Sequence, residues 1–155
     1  MEMENKRKHL ELIQNIVTRL SGNLFLLKGW AVTLIVGLFA IAANDLKPSY
    51  WIFAFCVLFI FWLLDGYFLS MERCFRALYD EVRFKDEKGI DFSMDSKKYR
   101  VGKNTWTGSM FSKTLLIFYG ILLASMIVII MVSTTNIKIS FDMSWENNNP
   151  INATQ

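Results

Sequence analysis

Two ionisable residues stand inside long apolar runs, where a charge is expensive. Lys28 lies near the start of the run from Leu24 to Ala43, and Asp65 is the single acid in the run from Tyr50 to Ser70. Charges in such surroundings are retained facing an opposite charge or water. The short link from Asn44 to Ser49, which holds Pro48, predicts that the two runs form an antiparallel hairpin centred between Leu46 and Lys47. Lys28 and Asp65 are equidistant from that centre, so they are expected at one level, near the inner headgroup boundary. Either they pair across the hairpin, or Asp65 lines an inner vestibule while Lys28 snorkels to the interface.

A second set of residues is cationic. Arg73, Arg76, Arg83, Lys97, Lys98, Arg100 and Lys103 fall in one segment and could bind an anion, a nucleic acid or an acidic lipid. The competing reading is that they fix topology and touch lipid headgroups. Little else invites chemistry. His9 is the only histidine and reads as a solvated side chain in a basic stretch. Cys56 and Cys74 are too close along one helix for a structural disulfide and read as a packed thiol and a free thiol in a reducing compartment. No Cys/His cluster has metal-ligand spacing, no glycine-rich phosphate loop precedes a helix, and no Ser/His/Asp set can be drawn. The sequence therefore predicts neither an enzyme nor a cofactor.

The elements that position these residues follow from hydropathy. Of 155 residues, 53% are hydrophobic, and they gather into runs rather than spreading through a core pattern. A third run, Thr114 to Ser133, carries no charge at all. Each run is about 20 residues, which at roughly 1.5 Å per residue matches a hydrocarbon layer of about 30 Å. So many apolar runs in so short a chain leave too little polar surface for a soluble core, and the first run lacks the cleavage site of a signal peptide. Of the 17 Lys and Arg, all but Lys47 and Lys138 lie at or before the first run or between Arg73 and Lys113. The bias predicts a multi-pass protein of a bacterial inner membrane, N-terminus cytoplasmic and C-terminus extracytoplasmic.

The expected fold class is an all-α membrane protein with three transmembrane helices. Residues 1–23 read as a cytoplasmic amphipathic helix, because Leu10, Ile13, Val17, Leu20, Leu24 and Leu27 recur at three- and four-residue intervals. It could lie on the inner leaflet or face a copy of itself in an oligomer, and Ser21-Gly22-Asn23 could kink it. Residues 24–70 are the transmembrane hairpin, with spans at 24–43 and 50–70. Residues 71–113 form a basic cytoplasmic helix and loop, in which the second helix runs on to about Phe84 with Glu72–Arg76 at i,i+4 spacing. Ile90 to Asp95 alternates with period two, which predicts a small β-hairpin turning near Ser96-Lys97. Trp106, Met110 and Phe111 suggest an interfacial stretch, and Ser112 a helix cap. The third span is 114–133. In the extracytoplasmic tail, 134–155, Ile137, Ile139, Phe141, Met143 and Trp145 alternate with polar residues, as a strand pairing between subunits or as an extended tail on the membrane surface. The final NNNPINATQ reads as disordered.

Small residues give a further signal. Gly29, Thr33 and Gly37 recur every four residues in the first span, as do Gly120 and Ala124 in the third. Such stripes let helices approach closely, within one chain or between chains. Three helices are too few to enclose a pore, so any conduction requires a homo-oligomer.

Four stretches carry a resemblance: Phe25-Leu26-Leu27-Lys28-Gly29-Trp30-Ala31-Val32-Thr33-Leu34, Phe61-Trp62-Leu63-Leu64-Asp65-Gly66-Tyr67-Phe68-Leu69, Glu72-Arg73-Cys74-Phe75-Arg76-Ala77-Leu78-Tyr79 and Phe111-Ser112-Lys113-Thr114. They resemble a widespread group of small bacterial membrane proteins over roughly Leu10 to Ser133. The layout, a membrane hairpin followed by a cytoplasmic helix, is similar to that of SLATT-like effectors. The resemblance implies a role in antiviral defence as a pore or membrane-perturbing effector, or as an accessory subunit. It is expected to respond to a cytoplasmic partner protein, a nucleotide or a nucleic acid. The alternative is a non-conducting membrane anchor that recruits a soluble partner enzyme.

Overall fold

The computed structural model describes residues 2–42 and 48–148. Its long helices are α1 (Glu2–Ala42), α2 (Pro48–Phe84) and α4 (Lys113–Asn148), with a short α3 (Trp106–Met110). Single 3₁₀ turns lie at Glu87–Gly89, Lys97–Tyr99 and Gly102–Asn104, and no strand occurs among the described residues. Three helices are long and apolar enough to cross a membrane, which suits a multi-pass membrane protein. Their apolar stretches face outward: Phe25 is 79% and Trp30 is 60% exposed. So much exposed apolar surface would be costly in water and costs nothing in hydrocarbon. The chain divides into two compact units, residues 1–119 and residues 120–155.

In the first unit α1 and α2 run antiparallel. Phe39 meets Trp51, Lys28 meets Asp65, Ser21 meets Glu72, and Lys6 reaches the end of α2. The turn expected at Asn44 to Ser49 lies mostly outside the described residues, at 44–47. Pro48 opens α2, where its missing N–H costs nothing. At the other end Lys6 Nζ donates to the carbonyls of Arg83, at 3.2 Å, and Lys85, at 2.7 Å. A cation there meets both the orphan carbonyls and the negative pole of the helix.

Part of the amphipathic stripe of α1 packs against α2 and the segment after it. Ile13 and Val17 pack with Leu78, Val82 and Ile90 in one buried cluster, flanked by Leu10, Phe75, Tyr79, Met94 and Tyr99. The reason is the partner stripe on α2, where Leu78 and Val82 repeat at four-residue spacing and present a matching seam. α1 also continues unbroken through Ser21-Gly22-Asn23, so residues 2–23 are the first half of a long helix.

The segment after α2 folds back along α2 towards its apolar half. In place of the expected β-hairpin it makes successive side-chain-to-backbone turns. The amide of Ser93 donates to Asp91 Oδ1 at 3.0 Å, that of Asp95 to Ser93 Oγ at 3.2 Å, and that of Lys97 to Asp95 Oδ1 at 2.9 Å. The polar residues of the alternating pattern thus capture every second amide before a strand can use it. Thr105 caps α3 by accepting from the Gly108 amide at 3.1 Å. Ser112 does not cap α4 in the same way: its hydroxyl is buried without a partner among the described residues, while its carbonyl accepts from the Leu116 amide and its own amide donates to the Ser109 carbonyl.

The cysteines reverse their expected places, with Cys56 exposed and Cys74 buried. Burial pushes the Cys74 thiol up, with the Arg100 guanidinium opposing the shift.

The second unit is the continuation of α4. It stays helical to Asn148, so neither a strand nor an extended tail forms at 137–145. No Gly or Pro interrupts residues 121–149, and extending an existing helix is easier than nucleating new structure. Its hydroxyls are satisfied internally, Thr134 Oγ1 donating to the Ile130 carbonyl and Thr135 Oγ1 to that of Met131. That is how polar side chains survive in hydrocarbon. The predicted disorder of the last residues concerns 149–155, which lie outside the described residues.

Candidate functional site

The structure brings Lys28 and Asp65 together. Lys28 Nζ lies 2.7 Å from Asp65 Oδ2, with the lysine side chain 23% exposed and the aspartate fully buried. The ammonium also reaches the Leu24 carbonyl and sits 5.8 Å from the centre of the Phe118 ring. A third partner comes from α4: the Tyr119 hydroxyl donates to Asp65 Oδ2 at 3.0 Å. One carboxylate oxygen therefore joins α1, α2 and α4, while Oδ1 is buried without a partner among the described residues. A carboxylate so placed needs both donors, because an unpaired buried charge is far costlier than a paired one.

Tyr119 is the residue that sequence reasoning missed, although depth could have found it. Counted from Ser70 and Thr114, where the second and third runs meet the basic segment, Asp65 and Tyr119 both lie five residues in.

The folded-back segment docks directly beside this cluster. Gly66, next to Asp65, is buried, and a Cβ there would stand 2.3 Å from Met110 Cγ and 3.3 Å from Met110 Cα. Glycine is required by that close approach. Trp62 Nε1 donates to the Met110 carbonyl and Trp106 Nε1 to the Leu63 carbonyl, both at 3.1 Å. Further along, Ser70 Oγ donates to the Asn104 carbonyl at 2.6 Å, and Arg73 Nη1 to the Lys103 carbonyl at 2.7 Å. The sequence singles out Trp106 and Met110 as interfacial and Arg73 and Lys103 as cations, but signals none of these residues as a docking contact.

Several of the cationic residues have partners within the chain. Arg73 holds the loop, Arg76 lies 2.6 Å from Glu72 Oε1, and Lys98 lies 2.9 Å from Glu81 Oε1. Arg83 stacks over Phe84, and Arg83, Lys97, Arg100 and Lys103 are exposed. The small-residue stripe of α1 also stays clear of α2: a Cβ at Gly29 or Gly37 would meet nothing within 4 Å, and Thr33 is exposed. Gly120 and Ala124 are exposed as well.

Glu81 anchors the far end of the loop, accepting from Lys85, Lys98 and the Tyr99 hydroxyl. Those bonds, Lys85 foremost, then Tyr99 and Lys98, hold its carboxyl down to about 2 from an ordinary 4.5. Because the folded value is the lower one, the anchor contributes fully above about 4.5 and is lost as pH falls through about 2. Amide exchange at Lys97–Arg100 is expected to hold steady down to that upper value and to accelerate below it. Glu81→Gln is expected to remove the change. An exchange rate that ignores pH in the wild-type chain, once corrected for intrinsic chemistry, would mean that Glu81 does not anchor the loop.

Searches against protein-family models, curated proteins and solved structures find no match to the chain.

Proposed function

We propose that the chain is a homo-oligomeric effector of the bacterial inner membrane in antiviral defence, which disturbs the bilayer when its cytoplasmic half receives a signal. The observation that carries this reading is mechanical. Met110 of the docked loop rests on Gly66, and the neighbouring Asp65 ties together all three apolar helices through Lys28 and Tyr119. A partner that lifts the loop therefore acts one residue away from the polar joint of the membrane part. Packed elements of this kind switch between discrete arrangements rather than yielding gradually.

Other features support the same reading. The Lys and Arg bias favours a cytoplasmic N-terminus and loop, leaving Arg83, Lys97, Arg100 and Lys103 exposed to a partner protein or an anionic signal. The sequence resemblance to SLATT-like effectors suggests the defence context. The unoccupied Gly29, Thr33 and Gly37 face suits contact between copies, which conduction by so few helices requires.

The rival reading is a membrane anchor that recruits a soluble enzyme and conducts nothing. The polar half of the α1–α2 hairpin, with its own packed core, suits it equally well as a docking platform. Controlled expression together with the neighbouring genes and a phage trigger separates the two. The effector reading expects dye uptake and loss of membrane potential. An intact membrane with a stoichiometric cytosolic partner on pull-down would establish the anchor instead.

A further inference from the structure

Far from the membrane joint, a cleft of about 320 Å³ opens between α1 and the segment after α2, lined by Asn5, Lys8, His9, Leu12, Phe92 and Met94. Its size is at the lower end of small-molecule sites, which are mostly apolar with a few polar groups to orient the ligand.

Two unusual features coincide in its wall. His9, expected to be solvated, is only 4% exposed, and its Nε2 is buried without a partner among the described residues. A buried ring nitrogen is normally satisfied, and one left bare is a standing cost. The Phe92 ring leans edge-on against the imidazole, with centroids 5.5 Å apart and planes at 78°. Phe92 is also the only non-glycine residue with positive φ, at 53°, among the described residues. A bulky residue there is strained. Yet the residue is 43% exposed, so core packing does not account for the strain. A movement of Phe92 that carried its backbone as well as its ring would relieve the strain and open a path to Nε2, provided something then met Nε2 and covered the apolar wall.

The lining defines that occupant. Leu12, Phe92 and Met94 offer flat apolar contact, while Asn5 and His9 offer hydrogen bonds. Lys8 supplies the charge. Its present partner, Glu4, lies 3.0 Å away in an exposed i,i+4 pair, which holds little and exchanges readily. A lipid headgroup is out of reach, since Leu24 is roughly 22 Å further along α1 and the headgroup zone is only about 7 Å deep.

We propose that this cleft binds a small planar aromatic anion. Phe92 is its movable wall: the ring shifts to stack on the ligand, His9 Nε2 bonds to it, and Lys8 meets its charge. The site is independent of whether the membrane helices conduct.

His9 is the only histidine, so its imidazole resonances report on this site alone in the full-length protein. Titration with 2-naphthoate in nanodiscs is expected to shift them saturably. The neutral 2-naphthamide and the non-planar adamantane-1-carboxylate are expected to bind at least tenfold more weakly. Lys8→Glu, an exposed change that leaves the fold intact, is expected to weaken 2-naphthoate at least tenfold, and Phe92→Gly likewise. The absence of a saturable shift, an equal response to all three probes, or an undiminished affinity in Lys8→Glu would each overturn the proposal.

Discussion

Replacing Lys28 with methionine is expected to destabilise the chain by about 3 kcal/mol, the low end for breaking a buried ion pair. The low end applies because Lys28 keeps 23% of its side chain exposed, whereas Asp65 has none. The cost arises from the carboxylate left behind, which retains only the Tyr119 hydroxyl. Removing the charge from both partners, in Lys28→Met with Asp65→Asn, is expected to recover most of the loss, since an apolar joint has no ion to strand. The exchanged pair, Lys28→Asp with Asp65→Lys, is expected to assemble better than either single exchange. Reversible unfolding in mild detergent measures all of these. A double exchange no better than its parents would show that the two residues do not act as a pair.

Gly66→Leu is expected to be the most damaging change to the loop. The new Cβ alone would overlap Met110 Cγ, while Met110 Cα and Cβ, each 3.3 Å away, would have to give only by a few tenths of an ångström. Overpacking of this kind costs about 2 kcal/mol, which corresponds to roughly a thirtyfold rise in local opening. The opening is expected at residues 103–111, where the carbonyls of Lys103, Asn104 and Met110 lose their donors on α2. Amide exchange over that stretch, together with the emission of Trp62 and Trp106, reads it directly. Met110→Ala clears the obstructing side chain and is expected to restore much of the docking. If exchange rose equally through α1 and α2, the variant would be unfolding the hairpin rather than releasing the loop.

How much of this was legible in the sequence depended on whether one pattern had one reading. The apolar runs did, because little except a bilayer accommodates them. The level of Lys28 with Asp65 followed from hairpin geometry alone, and the structure places them in contact. The 90–95 stretch did not, because Asp and Ser at alternate positions serve a strand face and a chain of turns equally well. The tail has a related ambiguity. Its alternation at 137–145 suits a strand taken alone, whereas the helix already propagating from the span carries through it.

The small-residue motif was similarly blind to direction. Gly29, Thr33 and Gly37 match it but touch nothing in the chain, while the glycine that admits a close neighbour is Gly66. His9 looked solvated because its sequence neighbours are charged, yet the helix turns it towards Phe92. Helical position, not local composition, decided its burial.

The proposed coupling between the loop and the membrane joint is tested most directly by membrane potential in cells expressing Gly66→Leu without any partner or trigger. Wild-type chain at the same level is expected to leave the potential intact, Gly66→Leu to collapse it, and Gly66→Leu with Met110→Ala to restore it. A fully polarised membrane in cells where Gly66→Leu is inserted, with its loop shown by amide exchange to be released, would contradict a loop-controlled effector and leave the anchor as the better reading.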